Sequence, residues 1–491
     1  MKTYLKLMSK VEFFGNGENM NNKILALRFI RKVVWGGLLL SASTSYCVPT
    51  TDVTLTLDPV FNDHMVLQRE QPVRVWGKAK HGEPITVSFG GQAVRTETDK
   101  RGNWSVKLAP MRASAESRDL IVRGDNEVAI HDILVGEVWL CSGQSNMQLG
   151  LLEFTSGKED IKTSDISQLR IFSVEFGLTA TPQVSFNGGI KGWAVCSPES
   201  IPKVGPNGGS FSAVGYFFGR ELQSKLGIPV GLIQSAWGGK RIEVFTPQSN
   251  PAPGLLSVDT PGAVYNAMIA PMIPMTIRGT IWYQGESNLE DKGVYELKMK
   301  KLIDAWRTVF QNPDMPFYFV EIAPFGSGKN PDALGELRAA QARVAATVPH
   351  TGMVHSLDNQ VTIHPPNKRQ TGERLARLAL AKTYGVNVGK SITGPSFDSA
   401  TREGAGVLVH FSETADALVT TDGGAVAGFE GQEAGGQWLP ATAKILGDKV
   451  FVSVAGQKVT SVRFCWLETH QTNLRNAEGF PPSPFNVTVT Q

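Results

Sequence analysis

The hydrophobic rhythm of the chain changes twice. In residues 52–132 short apolar runs at 54–57, 72–77, 85–89 and 104–108 are divided by turn formers such as His81-Gly82-Glu83-Pro84 and Asp99-Lys100-Arg101-Gly102-Asn103. Alternating or clustered apolar residues between such turns mark strands, so this stretch is expected to form a β-sandwich region. From 133 the runs lengthen and alternate with helical patterns. Buried strands are expected at 133–140, 228–234, 276–283 and 316–322, and helices at 212–226, 295–310, 337–348 and 372–384. Strands alternating with helices predict an α/β domain with a doubly wound parallel sheet over 133–388. From 389 to 491 the pattern returns to strands, at 406–411, 450–454 and 461–466, and the proline-rich 479–485 reads as a rigid loop.

Composition alters this picture little, except at the amino end. The 491 residues are 41% hydrophobic and 19% charged, as in an ordinary globular protein, with a net charge of +3. Residues 1–47 hold seven Lys/Arg and two Glu, so the remainder is mildly acidic. No basic stripe is left to bind nucleic acid. Arg31-Lys32, the apolar 33–40 and the small 41–45 form the three parts of a secretory signal, with Met20 as an alternative start. Cleavage and export to a secreted or periplasmic location are expected, with no membrane association afterwards. Past Cys47 only Cys141, Cys196 and Cys465 remain. That odd number allows one bridge, Cys141 to Cys196, or three buried thiols, and matches no zinc spacing. No metal or other cofactor is implied, and no oligomeric state is specified.

The chemistry-bearing residues follow the expected strands. Cys141-Ser142-Gly143-Gln144-Ser145-Asn146-Met147 closes the first strand of the α/β region and puts a serine at the sheet edge where such folds bind ligands. It is not the G-x-S-x-G elbow, because Met147 replaces the last glycine. A nucleophilic serine needs a base, an orienting group and donors for an oxyanion. Of eight histidines, only His350, His355 and His364 lie in the α/β part. His364 is in a loop stiffened by Pro365 and Pro366 that leads into a helix, which makes it the candidate base. Asp358, six residues upstream, is the candidate orienting acid, with a backbone carbonyl as the alternative. Oxyanion donors have two sources: the loop with Gly238 and Gly239, and the loop carrying Gln284 and Asn288.

Together these blocks resemble the sialate O-acetylesterase family of SGNH (GDSL-like) carbohydrate esterases. The matching stretches are 136–147, 211–218, 282–288 and 363–368, with 65–69 and 479–485 similar to the flanking β regions of the family. The resemblance implies an SGNH-like domain flanked by amino- and carboxyl-terminal β-sandwich regions, and removal of O-acetyl groups from an acetylated glycan. It implies Ser145 as nucleophile and His364 as base. The oxyanion hole would come from the Ser145 amide, Gly238 or Gly239, and the Gln284/Asn288 region. Gln144, Glu286, Lys240 and Arg241 are expected to line the substrate site. Two departures stand out. Lys240-Arg241 replaces the usual Thr-Pro, which would favour an anionic sugar such as a sialate, and Thr362 stands where many relatives carry an acid. O-acetylated sialic acid is therefore the expected substrate, with acetyl-xylan or another plant polysaccharide as the alternative. A non-catalytic glycan-binding protein is the other class considered.

Overall fold

The computed structural model describes residues 54–489 apart from 155, 187, 249–255, 292 and 329. The expected signal sequence and Cys47 lie outside the described residues. Residues Asp52–Gln491 form one compact unit.

The amino-terminal region contains the four expected strands, together with Val66–Gln68, Gln92–Glu97 and Ser114–Arg123, which the pattern does not pick out. Asn103–Leu108 alternates exposed and buried positions, sending Trp104, Val106 and Leu108 inward. It pairs with Val73–Lys78, which pairs in turn with Thr56–Leu57. Pro84–Phe89 joins Gln92–Glu97 and Ser114–Arg123, and the last of these lies antiparallel to the long strand β1 (Glu127–Gly143). The boundary at 132/133 drawn from the change of rhythm thus falls inside one 17-residue strand. The first half of β1 belongs to the amino-terminal sheet and the second half to the central one. One apolar core runs through both, from Leu55 to Leu380.

The central sheet contains β2 (Ile166–Val174), β3 (Ile190–Cys196), β4 (Val230–Ala236), β5 (Gly279–Tyr283), β6 (Phe317–Val320) and β7 (Thr351–Val354). Its order is β3-β2-β4-β1-β5-β6-β7. All neighbours are parallel except β3 and β2. The sheet is therefore mixed, and the expectation of a purely parallel sheet is corrected at this edge. A parallel neighbour needs a long crossover, whereas the link between β2 and β3 only doubles the chain back. β4, β5 and β6 are buried along their whole length, as strands covered on both faces must be.

Short helix α1 (Ser145–Gln148) follows β1, and α2 (Ala213–Leu226), α3 (Tyr295–Val309), α4 (Ala333–Thr347) and α5 (Lys368–Lys382) cover the sheet. On β6, Phe317 packs near Trp282 and Trp306 of α3, while Tyr318 packs on Trp139 and bonds Thr383 at the end of α5. Successive strand residues point to opposite faces, so α3 and α5 lie on opposite sides of the sheet. Helix α5 begins four residues before the expected 372, because Asn367 caps it by accepting from the Gln370 amide.

The carboxyl-terminal region has a separate core, including Val409, Val450, Val462, Phe464 and Leu474. One four-stranded sheet contains Ser396–Glu403, Gly406–Ser412, Lys449–Ser453 and Thr442–Leu446, and a second contains Leu439–Pro440, Phe429–Gln432, Ser461–Phe464 and Phe485–Thr488. The proline-rich segment ties this region to the central domain. Pro481 O lies 3.1 Å from His355 Nδ1, and Ser483 Oγ donates to buried Glu321 at 2.6 Å. No disulfide joins Cys141 and Cys196: both are free and buried, as is Cys465. Burial pushes each thiol's pKa up, so they are inert apolar fillers. No described helix is long and apolar enough to cross a membrane.

Candidate active site

Ser145 stands at the carboxyl end of β1, the central strand between β4 and β5. The turn into α1 depends on Gly143, whose φ is 134°. A Cβ there would lie 2.2 Å from the carbonyl oxygen of Tyr283 on the adjacent strand, so no other residue fits. The Gln144 amide donates to the same Tyr283 carbonyl at 2.9 Å. Sheet backbone therefore sets the position of the serine.

His364 comes from the loop between β7 and α5. Its Nε2 lies 2.9 Å from Ser145 Oγ, although the two residues are 219 apart in sequence. Burial and then the nearby Lys368 charge hold the His364 pKa below its usual 6.5, which favours the neutral imidazole. A neutral ring with Nε2 at hydrogen-bond distance is able to accept the serine proton.

The expected orienting acid is elsewhere. The Asp358 carboxylate is gripped by Arg374 at 2.9 and 2.6 Å, and Gln370 Nε2 donates to it at 2.9 Å. Burial opposes its ionisation, but Arg374 outweighs this and keeps the carboxyl below its ordinary range. Asp358 thus fastens the start of the histidine loop to α5, and among the described residues no carboxylate bonds the His364 ring.

The expected oxyanion groups divide similarly. Gln284 Nε2 donates to Asn288 Oδ1 at 2.6 Å and to Lys240 O at 3.2 Å. Asn288 Nδ2 donates to Glu243 at 3.0 Å and Asp291 at 2.5 Å, and its Oδ1 accepts from the Ile242 amide. An amide group has only two N–H donors. The N–H donors of both side chains are therefore taken by Lys240, Glu243, Asp291 and each other, which ties this segment to the 238–243 loop. That loop does reach the serine: a Cβ on Gly238 would lie 3.3 Å from Ser145 Cβ. The Gly238 amide donates to Gln148 Oε1 at 2.6 Å, while no protein partner takes the Gly239 amide among the described residues.

Gln144 is buried, with Oε1 accepting from the Ser287 amide at 3.2 Å and its Nε2 without a protein partner among the described residues. Arg241 is paired with Asp291 and with Glu243 at 3.2 Å. Lys240 has no ion pair among the described residues, and its Nζ lies 5.3 Å from the centre of the Trp237 ring. A cleft of about 720 Å³ adjoins the site, lined among others by Gly239, Arg241, Glu286, Ser287, Phe325 and Ile363. Glu286 is more deeply set than a surface contact: Asn146 Nδ2 donates to its Oε1 at 2.5 Å, and burial pushes its carboxyl pKa up. Asn146 also donates to the Ile363 carbonyl at 2.9 Å and accepts from Lys368 Nζ at 2.5 Å. Neither Asn146 nor Lys368 is picked out by the sequence reading. The signal available for them is a polar residue at each helix start, beside Ser145 and four residues after His364.

Comparison with known proteins places the chain in a family. The family model described as "Carbohydrate esterase, sialic acid-specific acetylesterase" matches residues 135–381, which include both Ser145 and His364. Sialate O-acetylesterase from Homo sapiens is 30% identical over 379 residues, covering 66% of this chain and 70% of its own. The Rattus norvegicus protein of the same name is 29% identical over 399 residues, with 66% and 72% covered. A crystal structure of a carbohydrate acetylesterase from Xanthomonas citri is 34% identical and superposes with a TM-score of 0.81, covering 89% of this chain and 100% of that one. The chain belongs to the sialic acid-specific acetylesterase family of carbohydrate esterases, and it is a carbohydrate O-acetylesterase.

Proposed function

We propose that this enzyme deacetylates O-acetylated sialic acids through an acyl-enzyme formed on Ser145. The observation that carries the reading is the 2.9 Å contact between His364 Nε2 and Ser145 Oγ at the end of the central strand. His364 takes the hydroxyl proton as Ser145 Oγ attacks the acetyl carbonyl. The tetrahedral oxyanion is held by the backbone amides of Ser145 and Gly239, and by Gly238 once Gln148 yields its amide. Collapse breaks the bond to the sugar oxygen, which leaves with the proton carried by His364. Water, deprotonated by His364, then attacks the acetyl-serine; the Ser145 ester bond breaks to release acetate as His364 returns the proton to Ser145 Oγ. No orienting carboxylate is invoked, so Ser145 and His364 act as a dyad.

An anionic sugar is supported by Lys240 alone. Arg241 is neutralised by Asp291 and Glu243, whereas Lys240 stands on the Trp237 face without an ion pair among the described residues. Gln144 Nε2 is the remaining donor beside the serine. The basic and apolar leader supports export, so the glycans it meets are extracellular or periplasmic. The test is acetate release from O-acetylated sialic acid and from acetyl-xylan by the wild type and by Ser145→Ala. Loss of both activities in the variant, with sialate preferred by the wild type, is expected. Wild-type-like release by Ser145→Ala would sink the mechanism, and preference for acetyl-xylan would sink the substrate.

A further inference from the structure

Lys368 occupies a place that physical chemistry disfavours for a cation. It is the first residue of α5, at the positive end of a 15-residue helix, and only 2% of it is exposed. Burial pushes its pKa down to about 7, opposed by the charge of Glu286. It makes no salt bridge among the described residues. Its Nζ donates to Asn146 Oδ1 at 2.5 Å and lies 5.4 and 5.5 Å from the centres of the Phe154 and Tyr283 rings. Asn146 is wholly buried and satisfied on every side: Lys368 on its oxygen, Glu286 and the Ile363 carbonyl on its nitrogen. Ile363 is the residue before His364. The carbonyl that Asn146 holds is therefore in the peptide unit that carries the imidazole.

We propose, resting on the Ser145–His364 reading, that Lys368 is a positioning residue for His364, acting through Asn146. A side-chain amide can turn over and exchange its oxygen for its nitrogen. In its charged form Lys368, a donor with no acceptor capacity, allows only the orientation in which the Asn146 nitrogen faces Ile363. The backbone of the histidine loop is thus locked against α1, the helix that begins with Ser145. A carboxylate bound to the far ring nitrogen would achieve the same restraint, and here the anchor grips the peptide unit instead. The ammonium has a second effect, since its charge opposes protonation of His364. The titratable groups facing the cluster are Glu286 and Tyr283 from β5 and its loop, with His364 and Lys368 itself. Burial lowers the pKa of both groups, to about 7 for Lys368, and the Lys368 charge is among the causes that hold His364 below its usual value.

The test is the pH profile of kcat/KM for a small chromogenic acetate ester in Lys368→Met and Lys368→Gln of the full chain. Lys368→Met should lower kcat by about 10², as expected for a misplaced catalytic group, with KM little changed. Lys368→Gln keeps a donor but not the charge, so it should retain more kcat. In both variants the acidic limb should move to higher pH. If Lys368→Met does not fold, the limb of Lys368→Gln decides. Wild-type kcat and an unmoved limb would overturn the proposal. A lower kcat with an unmoved limb would also overturn it, because that is the mark of a structural role alone. Ser145→Ala, assayed in parallel, reports separately on the reading beneath: its inactivity beside unaffected Lys368 variants would remove only the positioning role.

Discussion

The two halves of the Ser145–His364 pair are supported differently. On the serine side, β1 runs between two parallel neighbours, and Gly143 lies so close to the Tyr283 carbonyl that the turn has one shape. On the histidine side a long loop leaves β7, the outer strand of its sheet edge, and is tied down by buried side chains. Arg374 holds Asp358 at the start of the loop, and Asn146 holds Ile363 near its end. Backbone hydrogen bonding in a central sheet is shared among many residues, whereas each side-chain tie rests on one or two. The nucleophile should therefore fail through folding and the base through local displacement.

The largest expected effect tests the pair itself. Ser145→Ala and His364→Ala should each lower kcat by roughly 10⁴-fold or more, and the double variant should be little worse than either. Additive losses would mean that the two residues do not act together. Next, Gly143→Ala should destabilise the protein by about 2–4 kcal/mol, read from the denaturation midpoint, because a methyl must displace strand backbone from a strained φ. A stable, active Gly143→Ala protein would refute the contrast from the serine side. Asp358→Asn sharpens it from the other side. Weakening the buried pair with Arg374 should cost about 2 kcal/mol of stability, while kcat falls by no more than about tenfold. A loss near 10⁴-fold, typical of a triad acid, would restore Asp358 to the catalytic set.

The pH profile separates the halves without mutation. Neutral His364 is the active form, and its pKa is held below its usual 6.5, so the acid-side decline of kcat/KM due to this ring should begin only below that value. The decline should approach about tenfold per pH unit. A limb above 6.5 would indicate a carboxylate partner for the ring. The smallest effect belongs to Gln148→Ala, which frees the Gly238 amide. It should change kcat by about fivefold or less, since one hydrogen bond is worth about 1 kcal/mol.

Much of the frame is readable from local patterns. The strand before Ser145, the helices after Ser212 and from Tyr295, and the buried strands near 230 and 317 all appear where the periodicity predicts them. Strands β2 and β3 do not stand out. In β2 the apolar Leu169, Ile171 and Phe172 are interrupted by Arg170 and followed by Ser173, and β3 carries a glycine and a lysine. β3 is the edge strand and β2 lies beside it, and their broken apolar pattern hides the antiparallel pairing that makes the sheet mixed. Asp358 shows a deeper limit. Its spacing from His364 suits an orienting acid, yet Arg374, one turn and a half into α5, holds the carboxylate more strongly. Gln284 and Asn288 are correctly placed after a strand, but their donors are taken by the loop beside them.

The sequence by itself determines which residue types reach the carboxyl edge of the sheet. Hydrophobic period sets strand and helix, and the Gly143-Gln144-Ser145 turn and the loop before α5 follow from local backbone preference. What only the tertiary structure decides is partnership: His364 with Ser145, Asp358 with Arg374, and Asn146 between Lys368, Glu286 and Ile363. Hydrogen bonds and ion pairs depend on distances of about 3 Å between residues that are often far apart in the chain. Competition among nearby partners, settled by burial and charge, has no periodic signature in sequence.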